Sequence, residues 1–269
     1  MPIQPDVSRF AAELQRWREY RRYSQQELAL RADVSQRHLS FLETGKSRPS
    51  PEMIEHLCVV LGIPLRSRNA LLNAAGFADA YSEEPLNGPA LADVRQSLER
   101  LVAAHDPFPA YVVDRSWNLL IANDAAVGLT TALLSPDAAF ELMGNVARLF
   151  FHPDGARSAV ANWPQAAAVL LERLSSECAH HVDDPVLRAL FDELMGYDGV
   201  AELTARDGYP SPDHFLTPIH VRTPTVDMRL YTTISVLAGP ADVTLEELRL
   251  ETLLPADTES EQSLRSLRP

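Results

Sequence analysis

Hydrophobic residues recur at helical spacing through the first eighty residues of this chain. Phe10, Leu14 and Trp17 share one face of a first predicted helix, and another apolar stripe runs from Met53 to Leu61. Between the stripes lie residue types that cap or stop helices, namely Ser24, Ser35, Gly45, Ser50 and Gly76. The pattern therefore predicts five short helices between residues 8 and 76.

Alternation typical of β-strands begins after a further predicted helix at 91–104. A hairpin is predicted at 111–121, with Trp117, Leu119 and Ile121 alternating on one face of its second strand. Residues 124–197 have helical periodicity, and later alternation predicts three more strands, at 219–223, 228–236 and 248–253. Strands at both ends with helices between them indicate an α+β domain built on an antiparallel sheet.

The predicted organisation is an all-α five-helix domain at 1–80, a linker with a connecting helix at 81–104, an α+β domain at 105–256 and a tail at 257–269. The tail is rich in Ser, Glu and Arg and is expected to be frayed. No apolar run approaches the ~18 residues that a membrane span needs, and the first residues contain no apolar signal-peptide core. We therefore expect a cytoplasmic protein that does not enter the membrane.

Charge is distributed unevenly along the chain. The net charge is −13, but residues 1–80 carry +2 and the remainder carries −15. Because only the first part attracts phosphate groups, a nucleic acid would contact residues 1–80 and be repelled by the rest. The two cysteines, Cys58 and Cys178, lie far apart in the sequence, which suits buried thiols in a reducing cytoplasm better than a disulfide.

The segment 25–42 has the residue types of a helix-turn-helix at nearly every diagnostic position. Ala29 is small where the two helices would cross, and Val34 would close the turn against the core. Asp33 occupies the turn position where glycine is usual, and aspartate tolerates left-handed dihedral angles better than most residues. Two consecutive amphipathic helices also occur in all-α proteins that never bind DNA. The five-helix context, the polar second helix and the local basic excess favour DNA binding.

In a helix-turn-helix the second helix lies in the major groove with its N-terminal residues on base edges. This geometry places six side chains toward DNA, namely Ser35, Gln36, Arg37, His38, Ser40 and Phe41. Gln36 would pair with adenine and Arg37 with guanine, while Phe41 would touch a thymine methyl group or pack. The candidates for phosphate contacts are Gln25, Lys46, Ser47 and Arg48.

Residues 24–50 resemble the phage-repressor (XRE-type) helix-turn-helix. Together with residues 68–78, the run Val113–Asn118 and the pair Asn162–Trp163, they make the chain similar to the MmyB-like transcriptional regulators over nearly its whole length. The resemblance implies a bacterial regulator whose C-terminal domain has a PAS-like fold and accommodates a fatty-acid-like ligand. Composition and spacing by themselves show nothing of that ligand.

Four residues of the second domain are candidates for the polar part of such a pocket, because the apolar residues Leu149, Phe150 and Phe151 lie among them. They are Arg148, His152, Asn162 and Trp163. In the alternative interpretation, Trp163 belongs to the core, and Arg148 and His152 form a solvated or paired face.

Two other classes of function remain open for the second domain. An enzyme is disfavoured, since the chain has no G-x-S-x-G, P-loop or G-x-G-x-x-G motif, and we assign no catalytic residue and no cofactor besides the fatty-acid-like ligand. A helix does not bring a run of five neighbouring residues to one point, so no metal site is expected in the cluster Cys178, His180, His181, Asp183 and Asp184. Alternatively, the domain only dimerises or binds a protein partner.

The sequence thus leads to the hypothesis of a homodimeric regulator whose partners are double-stranded DNA and a small apolar ligand. Helix-turn-helix dimers in general read two half-sites about one helical turn, ~34 Å, apart. The ligand would change DNA affinity by binding one arrangement of the domains better than another. The segments 77–90 and 91–104 are the expected route of this coupling.

Overall fold

The chain divides into two compact units. The first consists of Met1–Pro85 with Gly239–Glu246, and the second of Leu86–Ala238 with Glu247–Pro269. The first unit thus extends beyond residue 80, the predicted boundary, and includes a short segment from late in the chain. The computed structural model of the protein describes residues 6–135, 138, 141–180, 184–203 and 216–267.

Five helices form the described N-terminal part of the first unit, as the hydrophobic pattern predicts. They are α1 (Val7–Tyr20), α2 (Gln25–Arg31), α3 (Gln36–Glu43), α4 (Pro51–Leu61) and α5 (Leu65–Ala74). Ser24, Ser35 and Ser50 cap α2, α3 and α4, each accepting a hydrogen bond from the backbone N–H three residues ahead. Gly45 and Gly76 have φ angles of +68° and +89°, which glycine adopts without steric cost.

One apolar core joins these helices, with α1 packed against α3 and α5, and α2 packed against α3. Leu28, Leu39 and Leu42 are fully buried in it. Arg21 closes the C-terminus of α4, since its Nε donates to the Leu61 carbonyl at 2.6 Å. Such bonds satisfy the carbonyl groups that a helix end leaves without partners. The bundle is therefore a firm support for α3.

The segment Gly239–Glu246 adds polar contacts within the first unit. Asp242 accepts a hydrogen bond from Ser82 Oγ at 2.8 Å. Glu246 Oε2 accepts from the Leu65 N–H at 2.6 Å, at the start of α5, which has no side-chain cap of its own. A carboxylate at this place satisfies a helix N–H and interacts favourably with the helix dipole. The beginning of the predicted linker is thereby anchored in the first unit.

Five antiparallel strands form the sheet in the described part of the second unit, as predicted. They are β1 (Ala110–Val113), β2 (Leu119–Ala122), β3 (Ile219–Arg222), β4 (Asp227–Ser235) and β5 (Arg249–Pro255). Their order is β2-β1-β5-β4-β3, so the last strand of the chain lies at the centre. Tyr111 pairs with Ala122 on one side and with Glu251 on the other. Since directly paired residues share a face of the sheet, these three side chains lie on one side.

Further α-helices follow in the described part of the chain, and all of α11 except its last residue belongs to the first unit. They are α6 (Ala92–Ala103), α7 (Asp124–Leu133), α8 (Val146–Phe151), α9 (Trp163–His180), α10 (Pro185–Met195), α11 (Val243–Glu247) and α12 (Thr258–Ser266). Buried Asn123 starts α7, because its Oδ1 accepts from the N–H groups of Ala126 and Ala110 at 2.9 and 3.0 Å. Its Nδ2 donates to the Phe108 carbonyl at 2.9 Å. Asn123 therefore joins the N-terminus of α7 to the start of β1.

The turn between β1 and β2 differs from the prediction. The alternating pattern places Trp117 and Leu119 on one strand face, but Trp117 lies in the turn with a φ angle of +65°, and the strand begins at Leu119. Asp114 holds this turn by accepting from the N–H groups of Ser116 and Asn118 at 2.8 and 2.9 Å. A left-handed conformation costs a bulky residue about 1–3 kcal/mol. Burial of the indole, which is 1% exposed, offsets that cost.

The C-terminal residues form α12, whereas the sequence predicts a frayed tail. Asp257 caps the helix by accepting from the Ser260 N–H at 2.8 Å, and α12 packs against β4 and β5. Leu264 is buried in an apolar cluster that includes Met228 and Leu230 of β4. Because packing requires only one apolar face of a helix, the polar composition of this stretch does not prevent it from folding.

Both cysteines are buried and free, as expected. Burial raises the pKa of the Cys58 thiol to about 12, and burial also raises the pKa of Cys178. Both side chains therefore remain protonated thiols at neutral pH. Within the described ranges, no helix has the length and apolarity that a membrane crossing requires.

Replacing Leu264 by alanine tests the packing of α12. We expect the loss of this buried side chain to lower the free energy of unfolding of the second unit by about 2–4 kcal/mol. Urea unfolding followed by tryptophan fluorescence reports on this unit through Trp117 and Trp163. Arg265→Ala is the control, because that exposed side chain forms an i,i+4 pair with Glu261 worth about 0.5 kcal/mol or less. Equal effects of the two substitutions would contradict the packing of α12 on the sheet.

Candidate DNA interface and ligand cavity

Helix α3 buries one face in the core and leaves the other open. Leu39 and Leu42 are fully buried, whereas Gln36 and Arg37 are exposed. Residues three and four positions apart are neighbours on a helix surface, so Gln36 lies beside Ser40. None of the six residues predicted to face DNA is buried, since Ser35, Gln36 and Arg37 are exposed and His38, Ser40 and Phe41 are half-buried.

The start of α3 has the turn geometry that the sequence predicts. Asp33 adopts a φ angle of +49°, the left-handed conformation expected at this position. Ser35 Oγ accepts from the His38 N–H at 3.1 Å, which satisfies one of the free N–H groups of the first turn. The remaining N–H groups at this helix end and the exposed side chains can therefore bind hydrogen-bond acceptors.

The Arg37 guanidinium lies over the Phe41 ring, with Cζ 5.3 Å from the ring centroid. Such a cation–π contact is worth about 0.5–1 kcal/mol at an exposed site. The N–H groups of a guanidinium lie in its plane, so stacking on a ring leaves them able to donate to another group. Phe41 thus orients Arg37 without using its donors.

A buried ion pair holds α3 against α1. Arg18 donates from Nε and Nη2 to the two carboxylate oxygens of Glu43, at 2.7 and 3.0 Å. The Glu43 side chain is 2% exposed, and Gln25 Nε2 donates to the same carboxylate at 2.8 Å. The bond to Glu43 raises the pKa of Arg18 above its ordinary value. One carboxylate therefore connects the end of α3, the start of α2 and the body of α1.

Glu43 is a positioning residue that was not predicted from the sequence. A signal for it is present, since Glu43 lies four residues after buried Leu39 and therefore on the apolar side of α3. A charged residue on such a face requires a buried partner. Spacing alone does not show that Arg18, twenty-five positions earlier, is that partner.

The loop after α3 is fixed by one carbonyl group. Phe41 O accepts from the N–H groups of Lys46 and Ser47 at 2.8 and 3.2 Å. Lys46 and Arg48 are exposed, and Ser47 is half-buried. The three residues predicted to contact phosphates in this loop therefore lie together at the C-terminal end of α3.

An apolar cavity in the second unit is lined by the sheet and by α7 and α8. Its volume is about 120 Å³, well above the ~10–15 Å³ that one water molecule needs. All five strands contribute to it, through Tyr111, Leu119, Ala122, Ile219, Val221, Leu230 and Leu253. The two helices contribute Ala126, Val127, Leu129, Thr130, Leu133, Val146, Leu149 and Phe150. A cavity with this lining is suited to an apolar ligand.

A network of buried charges adjoins the cavity at Tyr111. The Tyr111 hydroxyl donates to Glu251 Oε2 at 3.1 Å, and burial raises the pKa of this phenol well above its ordinary value. Glu251 is 1% exposed and lies 2.7 Å from Arg173 Nη2. Arg173 and Arg249 both pair with Glu177, at 3.2 and 2.9 Å. Two arginines and two glutamates thus neutralise one another beside the sheet.

The four ligand-binding residues predicted from the sequence are not among the described residues that line this cavity. Arg148 donates from Nε and Nη2 to the two carboxylate oxygens of Glu193, both at 2.8 Å. This pairing raises the pKa of Arg148 and lowers that of Glu193. His152 packs edge-on against Tyr197, with ring centroids 5.2 Å apart.

Asn162 and Trp163 tie parts of the second unit together. Asn162 Nδ2 donates to the Pro218 carbonyl at 2.7 Å, and its Oδ1 accepts from the His220 N–H at 2.8 Å. Buried Trp163 donates from its indole N–H to the Phe150 carbonyl at 3.1 Å.

A role of the four residues in ligand binding stays a prediction. The residues that line the cavity cannot be recognised from the sequence. Apolar side chains on strands and helices show the same spacing whether they pack in a core or line a pocket.

The part of the chain that the structure describes contains no group of three or more His, Cys, Asp or Glu side chains able to hold a metal ion. Of the cluster considered from the sequence, Cys178 is buried. Asp184 caps α10 by accepting from the N–H group of Val186 at 2.9 Å. His181 and Asp183 lie outside the described residues.

Comparisons with known proteins match two separate parts of the chain to two families. A helix-turn-helix domain family matches residues 9–71. The family described as the MmyB-like transcription regulator ligand binding domain matches residues 94–267, well over half of the chain. A search of curated proteins gives no match. The chain therefore belongs to the MmyB-like transcription regulators, DNA-binding proteins in which a helix-turn-helix domain is followed by a ligand-binding domain.

Proposed function

We propose that this regulator binds DNA sequence-specifically through α3, as a homodimer, and that an apolar small ligand in the cavity modulates its DNA affinity. The exposed polar face of α3, held in place by the buried Arg18–Glu43 pair, carries the proposal. A dimer of such domains would read two half-sites about one helical turn, ~34 Å, apart.

Gln36 and Arg37, at the start of α3, are proposed to read bases. A glutamine amide matches the N6 and N7 groups of adenine, and a guanidinium matches O6 and N7 of guanine. The contact with Phe41 restrains Arg37 before DNA arrives, which lowers the entropic cost of binding. The proposed base-facing surface is completed by Ser35, His38, Ser40 and Phe41.

The proposed phosphate contacts are made by Gln25 and by Lys46, Ser47 and Arg48. An amide nitrogen carries two hydrogens, so Gln25 can donate one to Glu43 and the other to a phosphate oxygen. The backbone bonds to Phe41 hold Lys46 and Ser47 at one place relative to α3. Phosphate contacts at both ends of the motif would set the position of α3 in the groove.

The proposed ligand is an apolar molecule, of the fatty-acid-like class that the sequence resemblance implies. The cavity lined by all five strands supports this proposal, because a domain that only dimerised would be expected to pack its interior to the usual density. The ligand would shift DNA affinity by binding one arrangement of the protein better than another. We further propose that the sheet is PAS-like and that the protein is bacterial. Residues 77–90 and α6 would couple ligand binding to DNA affinity.

Arg37→Ala is expected to weaken binding to the preferred duplex by about 1–3 kcal/mol and to relax the preference at one base pair. The preferred duplex is selected from a random-sequence pool, and affinities for it and for its single-base variants are measured by fluorescence anisotropy. Arg31→Ala is the matched control, because it removes another exposed arginine, from α2. Loss of affinity that is equal on every duplex would assign Arg37 to phosphate contacts instead.

Lys46→Ala is expected to weaken binding to all duplexes alike. Removal of one phosphate contact should also reduce the slope of log K against log salt concentration by about 1. The measurement is a salt titration on the selected duplex and on an unrelated one. Lys46→Arg keeps the charge and should keep the wild-type slope. A loss confined to the selected duplex would indicate that Lys46 reads a base.

Ala126→Phe is expected to fill part of the cavity and abolish the response to an apolar probe, 1-dodecanol. Saturating 1-dodecanol should change the wild-type affinity for the selected duplex by about fivefold or more. Val169→Phe, which adds the same side chain at an exposed position of α9, should respond like the wild type. If 1-dodecanol binds the wild type and leaves its DNA affinity unchanged, the proposed modulation is wrong.

A further inference from the structure

The described side chains of the cavity wall offer hydrogen-bond acceptors rather than donors. Among the lining residues that the structure describes, only Tyr111 and Thr130 carry hydroxyl groups, and none carries a charge. A hydroxyl has one hydrogen to donate and lone pairs that accept. The partner that takes this hydrogen therefore decides what each of the two positions offers to a ligand.

Tyr111 donates its hydrogen to Glu251. The Glu251 carboxylate lies 2.7 Å from Arg173 Nη2, and an ionised carboxylate only accepts hydrogen bonds. The Tyr111 hydroxyl, 3.1 Å from Oε2, is therefore the donor in that contact. Burial raises the pKa of Tyr111, so the phenol remains protonated at neutral pH. A ligand group that reaches this oxygen meets its lone pairs.

The Thr130 hydroxyl, like that of Tyr111, already donates its hydrogen to a group of the protein. Its Oγ1 donates to the Ala126 carbonyl at 2.9 Å, one turn earlier in α7. A carbonyl oxygen only accepts, so the Thr130 hydrogen points along the helix. Only the lone pairs of Thr130 remain for a ligand.

The two arginines described beside Tyr111 and Glu251 are already paired. Arg173 and Arg249 lie within 3.2 Å of the carboxylates of Glu177 and Glu251, and neither arginine lines the cavity. An ionised carboxylate entering the cavity would lose its water and meet no side-chain donor among the lining residues that the structure describes. Burying a charge without a donor or a counter-ion is strongly unfavourable.

From this pattern of donors and acceptors we infer that the cavity binds an apolar molecule whose buried end is uncharged. Where that end carries a polar group, the group is a hydrogen-bond donor such as a primary alcohol. A fatty acid enters only in its protonated form, and the ionised form is excluded. The inference rests on the proposed function, which makes this cavity the ligand site, and it narrows the class of ligand.

Two probes of equal chain length test the inference on the full chain. We expect 1-dodecanol to bind at pH 8, and dodecanoate to bind at least about tenfold more weakly, in titrations followed by tryptophan fluorescence. If only the neutral acid binds, the apparent affinity for dodecanoate rises about tenfold for each pH unit between 8 and 6, in proportion to the protonated fraction. The affinity for 1-dodecanol should stay constant over the same range, which controls for titration of the protein.

A variant with a positive charge on the wall should reverse the preference. Val127 lines the cavity and is 39% exposed, so the ammonium group of Val127→Lys can reach water when the cavity is empty. We expect this variant to bind dodecanoate at pH 8 at least about tenfold more tightly than the wild type does. Val169→Lys adds the same charge at an exposed position of α9 and should change neither affinity.

The outcomes separate the inference from the proposed function. Equal binding of both probes by the wild type at pH 8, with no pH dependence, would overturn the inference and leave the ligand site intact. Weak binding of dodecanoate that Val127→Lys does not improve would also overturn it, because the missing counter-charge would not be the cause. Failure of the wild type to bind either probe would overturn the proposed ligand site, and the inference with it.

Discussion

The buried ion pair between Arg18 and Glu43 sets the orientation of α3, on which the proposed DNA-binding face depends. Apolar contacts of Leu39 and Leu42 hold α3 in the bundle, but such contacts have no preferred direction. A bidentate arginine–carboxylate pair fixes two atoms against two atoms and therefore also fixes the rotation of the helix. Removing one partner of such a pair typically costs about 3–5 kcal/mol, because the other charge is left buried.

Arginine–glutamate pairs also occur in the second unit, where they cancel charge beside the cavity. Arg173, Arg249, Glu177 and Glu251 balance one another beside the sheet, so that no net charge adjoins the cavity wall at Tyr111. Of the 24 basic residues in the chain, 23 are arginine. A planar guanidinium can serve two carboxylates at once, as Arg173 does, whereas an ammonium group is a point charge. Neutralisation within the protein would leave apolar burial as the main contribution to the affinity of the proposed ligand.

The charge of the first unit depends on the fold as well as on the sequence. Residues 1–80 carry a net positive charge, but the unit also contains Asp242 and Glu246 from late in the chain. Both carboxylates bond to groups of the unit itself, Ser82 and the start of α5. The positive residues proposed to contact DNA lie on α3 and its following loop, whereas the late acidic residues act as caps and anchors.

The sequence by itself determined the helices of the first unit, the antiparallel strands and the position of the helix-turn-helix. These features follow from local rules, because the capping by Ser24, Ser35 and Ser50 involves residues three positions apart and alternation involves residues two apart. Only the tertiary structure decided the pairing of Arg18 with Glu43, the turn at Trp117, the packing of α12 and the cavity. Apart from the local bonds by which Asp114 closes the turn at Trp117, each of these depends on residues brought together from distant parts of the chain. Apolar periodicity specifies which side chains are buried, and the contacts they make inside are set by the whole fold.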